Sequence, residues 1–151
     1  MKKSQIIAVA LVLASAQSFA AERSIAKSHR PTTIVVAHNG SGLAQFPIIR
    51  SDFPNHAVIA APKKIESISW SITYYPEHPT ETVDICYSRP YRSSSFEHCE
   101  PVNKNSMGTT SVFNVYAFDI GAQFIIRHKV NGGRNNSAAA GVDTLTINYS
   151  Y

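Results

Sequence analysis

The sequence contains no apolar run long enough to cross a bilayer. Its longest, Ile6 to Ala14, falls well short of the about 20 residues a helical span needs. No stretch of five or more like charges occurs, so neither a nucleic-acid-binding arm nor a polybasic membrane patch is indicated. Only two cysteines are present, Cys86 and Cys99, within "CYSRPYRSSSFEHC". Structural zinc asks for two closely spaced ligand pairs, and thioredoxin-like chemistry asks for C-x-x-C. Neither pattern occurs, and G-x-S-x-G, H-E-x-x-H, S-x-x-K and a phosphate-cradling glycine loop are missing too. The reading is of a non-enzymatic chain with no metal and no cofactor.

The N-terminus, "MKKSQIIAVALVLASAQSFA", has the basic start, short apolar middle and small residues before Ala20 that describe a secretory signal peptide of bacterial style. Cleavage after residue 20 leaves an exported chain with no further membrane-inserting segment expected. Of 14 Lys and Arg, the leader holds Lys2 and Lys3, so 12 remain against 10 acidic residues, a net charge of +2. In an oxidising compartment two cysteines are most economically one disulfide. "TVDICYS" (82–88) and "FEHCEPV" (96–102) read as the strands it joins, about Arg89-Pro90 and a serine-rich turn. A Cys99/His98 nucleophile pair is disfavoured, because neighbours on a strand point to opposite faces.

The remainder is written largely in period two. Ile68, Trp70, Ile72 and Tyr74 alternate with Ser67, Ser69, Ser71 and Thr73; Leu145, Ile147, Tyr149 and Tyr151 alternate with Thr144, Thr146, Asn148 and Ser150. Each row is a half-buried strand with one apolar and one small-polar face. Further strands are expected over 32–38, 56–61, 110–118 and 123–130, with turns at 39–42, 76–79, 119–121 and 131–133. The fold expected is all-β: an antiparallel β-sandwich of about seven or eight short strands, one disulfide and a single domain over 31–151. Residues 21–30 are expected to form a flexible start, and 134–141 an exposed loop.

Candidate functional residues are few. Histidines 29, 38, 56, 78, 98 and 128 are scattered singly, as surface or satisfied histidines are. Glu77 and Glu81 sit at an expected turn, and Glu97 and Glu100 flank the second cysteine, where a solvated edge is expected rather than a paired-carboxylate site. Tyr87, Arg89, Tyr91 and Arg92 in or beside the cysteine loop are residue types favoured at interfaces. They are candidate partner contacts, although tyrosines at strand ends are also ordinary packing residues.

Trp70 on an alternating strand is followed by Cys86, Cys99, Gly108-Thr109-Thr110, the "FIIRHKVNGGR" segment and the closing "VDTLTINYSY". This ordered set, with Trp70 as its core landmark, resembles the FlhE family of small periplasmic accessory proteins of bacterial flagella, over residues 31–151. The chain departs from the family in its longer cysteine spacing and in lacking a tryptophan near the mature N-terminus. The resemblance implies a non-catalytic β-sandwich that binds a flagellar export or rod protein, limits proton leakage and supports flagellar organisation and swarming. Two other classes fit the residues: a fimbrial or adhesin-type structural subunit, and a periplasmic inhibitor of an enzyme. Against the first stands the polar "AERSIAKSHRP", which lacks the apolar alternation of a donor strand.

Overall fold

The computed structural model describes residues 21–35, 40–92, 95–131 and 136–151; the expected leader, His38 and the Gly132-Gly133 turn lie outside them. Among the described residues, nine strands form two antiparallel sheets. The first sheet takes β1 (Glu22–His29), β9 (Asp143–Ser150), β3 (Lys63–Ser71) and β6 (Met107–Thr110) in that order, with the two-residue β7 (Ala117–Phe118) also on β3. The second takes β2 (Ser41–Pro47), β8 (Gln123–Lys129), β4 (Thr82–Ser88) and β5 (His98–Val102). Between them lies a core that includes Ile25, Phe46, Ile65, Ile68, Ile85, Tyr87, Phe113, Phe124, Ile126, Leu145, Ile147 and Tyr149. The β-sandwich expected from the period-two rows is the fold observed.

β9 alternates without interruption, burying Asp143, Leu145, Ile147 and Tyr149. β3 follows the expected row less closely. A bulge between Ile65 and Ser67 resets its register on β9, so that Ile65 and Ile68 both face inward; the extra residue of a bulge shifts the face of everything after it. Trp70 is only half-buried, against the core's margin, and lies across β6 opposite Gly108. A Cβ at Gly108 would stand 2.5 Å from the indole, which is why glycine occupies this position. Ile72 keeps the row and is buried, but past it the row fails: Tyr74 is exposed and Tyr75 is buried in its place.

Five expectations are corrected. Residues 21–30 are no loose start: β1 pairs along its whole length with β9, from Glu22 opposite Ser150 to His29 opposite Asp143, so the sandwich begins before residue 31. An edge strand with one face in solvent needs little apolar content, and Ile25 alone supplies it, while Lys27 reaches Pro47 O and the Asp52 carboxylate (both 2.7 Å). Residues 56–60 form a short α-helix, α1 (His56–Ala60), because the Asn55 side chain accepts from Val58 N (3.0 Å) and caps it. Within 110–118, a 3₁₀ turn over Val112–Val115 replaces a continuous strand and drives Phe113 into the core. Of the expected strand over 32–38, the described part makes only a single bridge, Ile34 to Ser137, and strand β2 begins at Ser41, inside the expected turn. The loop over 134–141 likewise holds two buried residues, Ser137 and Ala139.

Candidate functional site

At one end of the second sheet, the cysteine hairpin is closed as expected. Cys86 and Cys99 lie directly opposite on β4 and β5, Cα to Cα 4.0 Å, and are disulfide-bonded. The four candidate contact residues then separate. Tyr87 is fully buried, its ring against Phe113, Tyr116 and Phe124 and its hydroxyl on Ala117 O. Its place in the inward row Val83, Ile85, Tyr87 makes it a core residue, which corrects its reading as a partner contact. Arg89 pairs with Glu97 across the loop, and that guanidinium holds the Glu97 carboxyl below its usual range. Tyr91 and Arg92 are exposed, Tyr91 by 86%.

Tyr91 also belongs to a structure larger than its loop. Its N–H meets Gly121 O (3.3 Å), and Gly121 N donates to Ile48 O (2.8 Å). Three segments following β2, preceding β8 and following β4 therefore lie side by side. Exposed Ile49 and Arg50 stand at one margin and Tyr91 and Arg92 at the other.

The opposite end of the sandwich holds a site that the sequence reading did not assemble. His128, on β8, is enclosed with Glu81 and Asp143, and all three side chains have no solvent exposure. Its Nδ1 lies 2.5 Å from Glu81 Oε1 and its Nε2 2.8 Å from Asp143 Oδ2. The second carboxylate oxygens accept from the backbone: Asp143 Oδ1 from Thr73 N (2.8 Å) and Glu81 Oε2 from Tyr75 N (2.9 Å). Tyr75 lays its ring edgewise against the imidazole at 5.4 Å and donates its hydroxyl to Thr32 O. A Cβ at Gly42 would fall 1.9 Å from that hydroxyl oxygen, so β2 must carry glycine here. The cluster joins both sheets, since His128 comes from the second and Asp143 from the first. The turned stretch from Tyr75 to Glu81 closes over it.

Burial acts to lower the His128 pKa, but its hydrogen bonds and charge interactions with Asp143 and Glu81 outweigh this and raise it to about 9. The imidazolium donates from both ring nitrogens, satisfying two buried carboxylates at once. A histidine raised in the folded state contributes stability that is fully present below its unfolded value near 6.5 and is lost as pH rises through about 9. We therefore expect the free energy of unfolding to fall by on the order of 3 kcal/mol between pH 6.5 and 9. Urea titrations across that window check this; they should stop short of pH 10, because burial pushes the Tyr75 and Tyr87 phenols up and adds a second titration above it. A flat profile would show that His128 is neutral in the fold.

Chemically the cluster is an enclosed ion pair network rather than an acid–base centre open to substrate. A cleft of about 320 Å³ opens beside it, lined in part by Ser41, Thr80, Thr82 and Lys129, but the Glu81 and His128 side chains do not reach it. Among the described residues, no group of three or more His, Cys, Asp or Glu is arranged to hold a metal ion, and no helix is long and apolar enough to cross a membrane. On the outer face of the second sheet, Asp84 pairs with Arg127 (3.1 Å) and Lys129 (2.6 Å). Burial tends to raise the Asp84 pKa, and the two cations outweigh it and hold the carboxyl below its usual range.

An antiparallel sandwich with a short disulfide-bridged hairpin and an internal ionic lock is the class that fold and site define. The chain is similar in structure to the crystal structure of FlhE, with a TM-score of 0.59 and 15% sequence identity, over 87% of this chain and 100% of that one. At that identity the likeness is one of fold. No family model and no curated protein sequence matches the chain.

Proposed function

We propose that the chain is a non-enzymatic periplasmic accessory protein of the bacterial flagellum. It acts by binding a protein of the export or rod machinery, supports swarming and limits proton leakage. The observation that carries this reading is the fold: the whole length of the FlhE chain is matched by this one. The disulfide agrees with an oxidising compartment. Against the fimbrial alternative, β1 completes its sheet from within the same chain, whereas a fimbrial subunit takes that strand from a neighbour. Deleting the gene in its own host and scoring flagellation, swarming and cytoplasmic pH tests the reading. A swarming or pH defect restored by the exported protein is the expected result. Normal motility and pH in the deletion strain would sink it.

A further inference from the structure

The row Ile49–Gly121–Tyr91 is built at some cost to the fold. Arg89-Pro90-Tyr91-Arg92 is a turn closed by Arg92 N to Arg89 O (3.1 Å), and Tyr91 stands at its third position with φ of +61°. Glycine or asparagine suits positive φ there, and a bulky aromatic residue is strained. The turn nonetheless carries a tyrosine whose ring is displayed to solvent, lying across Gly121, itself at φ +85°. Ile49 is 48% exposed at the other margin. The strain is therefore not repaid by burial of the ring.

Cations outnumber acids around the row. The acids near it are already engaged: Asp52 with Lys27, Asp119 with Lys63 (2.9 Å), and Glu97 with Arg89. Arg50 and Arg92 are exposed; among the described residues neither guanidinium has a direct ion pair or a hydrogen bond, although the Arg92 charge also acts at longer range on Glu97, which Arg89 already holds. Two exposed apolar groups, Ile49 and Tyr91, framed by two exposed guanidinium groups complement carboxylates set around an apolar side chain.

We infer that this row is a docking surface for an acidic protein segment that places an apolar side chain between Ile49 and Tyr91. The inference rests on the partner-binding reading above and gives that partner a chemistry. The test is a titration of the oxidised, isotope-labelled protein with a synthetic acidic peptide of alternating Glu and Leu, beside a Lys/Leu peptide of equal length. Saturable amide shifts confined to residues 48–50, 89–92 and 119–121, with the acidic peptide only, are expected. Tyr91→Asn keeps a residue that tolerates positive φ, so it should leave folding intact and weaken binding at least about tenfold. Arg50→Glu with Arg92→Glu should do the same and remove the salt dependence. No saturation, equal shifts with the basic peptide, or wild-type binding by the variants would each overturn the inference. Shifts that grow with protein concentration alone would assign the row to a second copy and overturn it as well. Binding by a chain whose deletion leaves motility normal would keep this surface and remove the flagellar assignment, so the two failures are separable.

Discussion

Replacing His128 with alanine should lower the stability of the fold by roughly 3–5 kcal/mol, the range expected when one partner of a buried ion pair is removed. The reason lies in what is left behind. Glu81 and Asp143 have no solvent exposure and would face each other across a cavity without the cation between them. Each also holds a backbone N–H, at Tyr75 and Thr73, so neither carboxylate can swing out to water without orphaning a donor. Adding Glu81→Gln and Asp143→Asn to the alanine variant removes both charges and keeps a carbonyl acceptor for each N–H. That triple variant should recover a substantial part of the loss, because the three groups act as one network and their effects are not additive. Urea midpoints for the single and triple variants at pH 7 measure both. A loss below about 1 kcal/mol for His128→Ala would mean that the lock contributes little.

The lock was legible in the sequence, but only to a reading that let polar residues continue an apolar row. Asp143 stands two residues before Leu145, Ile147 and Tyr149; His128 follows Phe124 and Ile126; Glu81 precedes Val83, Ile85 and Tyr87. Each extends an inward-facing strand row by one step at the same end of the sandwich. Ending each row at its last apolar residue leaves the three as scattered surface groups. What sequence could not supply is the register that brings the row ends together, because pairing partners are set by contacts distant along the chain.

The fold class was legible because period two is a strong signal where one face is buried, as in β9, and because β8, buried on both faces at Phe124–Ile126, is rich in β-branched and aromatic residues. It failed where a strand has no buried row to display. β1 is too polar to read as a strand because it lies at an edge and offers only Ile25 to the core. The segment 56–60 fails in the opposite direction: its composition suits a strand, but the Asn55 cap selects a helix. The tyrosines of the cysteine loop show the same limit. Tyr87 and Tyr91 are four residues apart and alike in type, yet one is core and the other displayed, a difference made by the positive-φ turn between β4 and the loop.

Removing the disulfide should produce the second large effect. Cys86→Ala with Cys99→Ala opens a bridge spanning 13 positions, and the chain-entropy model assigns a loop of this size about 3 kcal/mol. The loss acts first on the unfolded chain, so the native sheet should survive it. Within the fold the effect should be uneven. β5 is an edge strand held only by β4, and Pro101 withholds one donor from it; β8 lies between β2 and β4. Hydrogen exchange in the double variant should therefore rise in β5 well before it rises in β8. The exported wild type should be two hydrogens lighter by mass than its reduced form, and the variant should unfold at a clearly lower urea concentration. An unchanged midpoint would show that the bridge serves something other than stability. The loop it closes carries Tyr91 and Arg92, so the same variant offers a direct comparison. If acidic-peptide binding falls while the sheet remains folded, the disulfide also holds the displayed tyrosine in place.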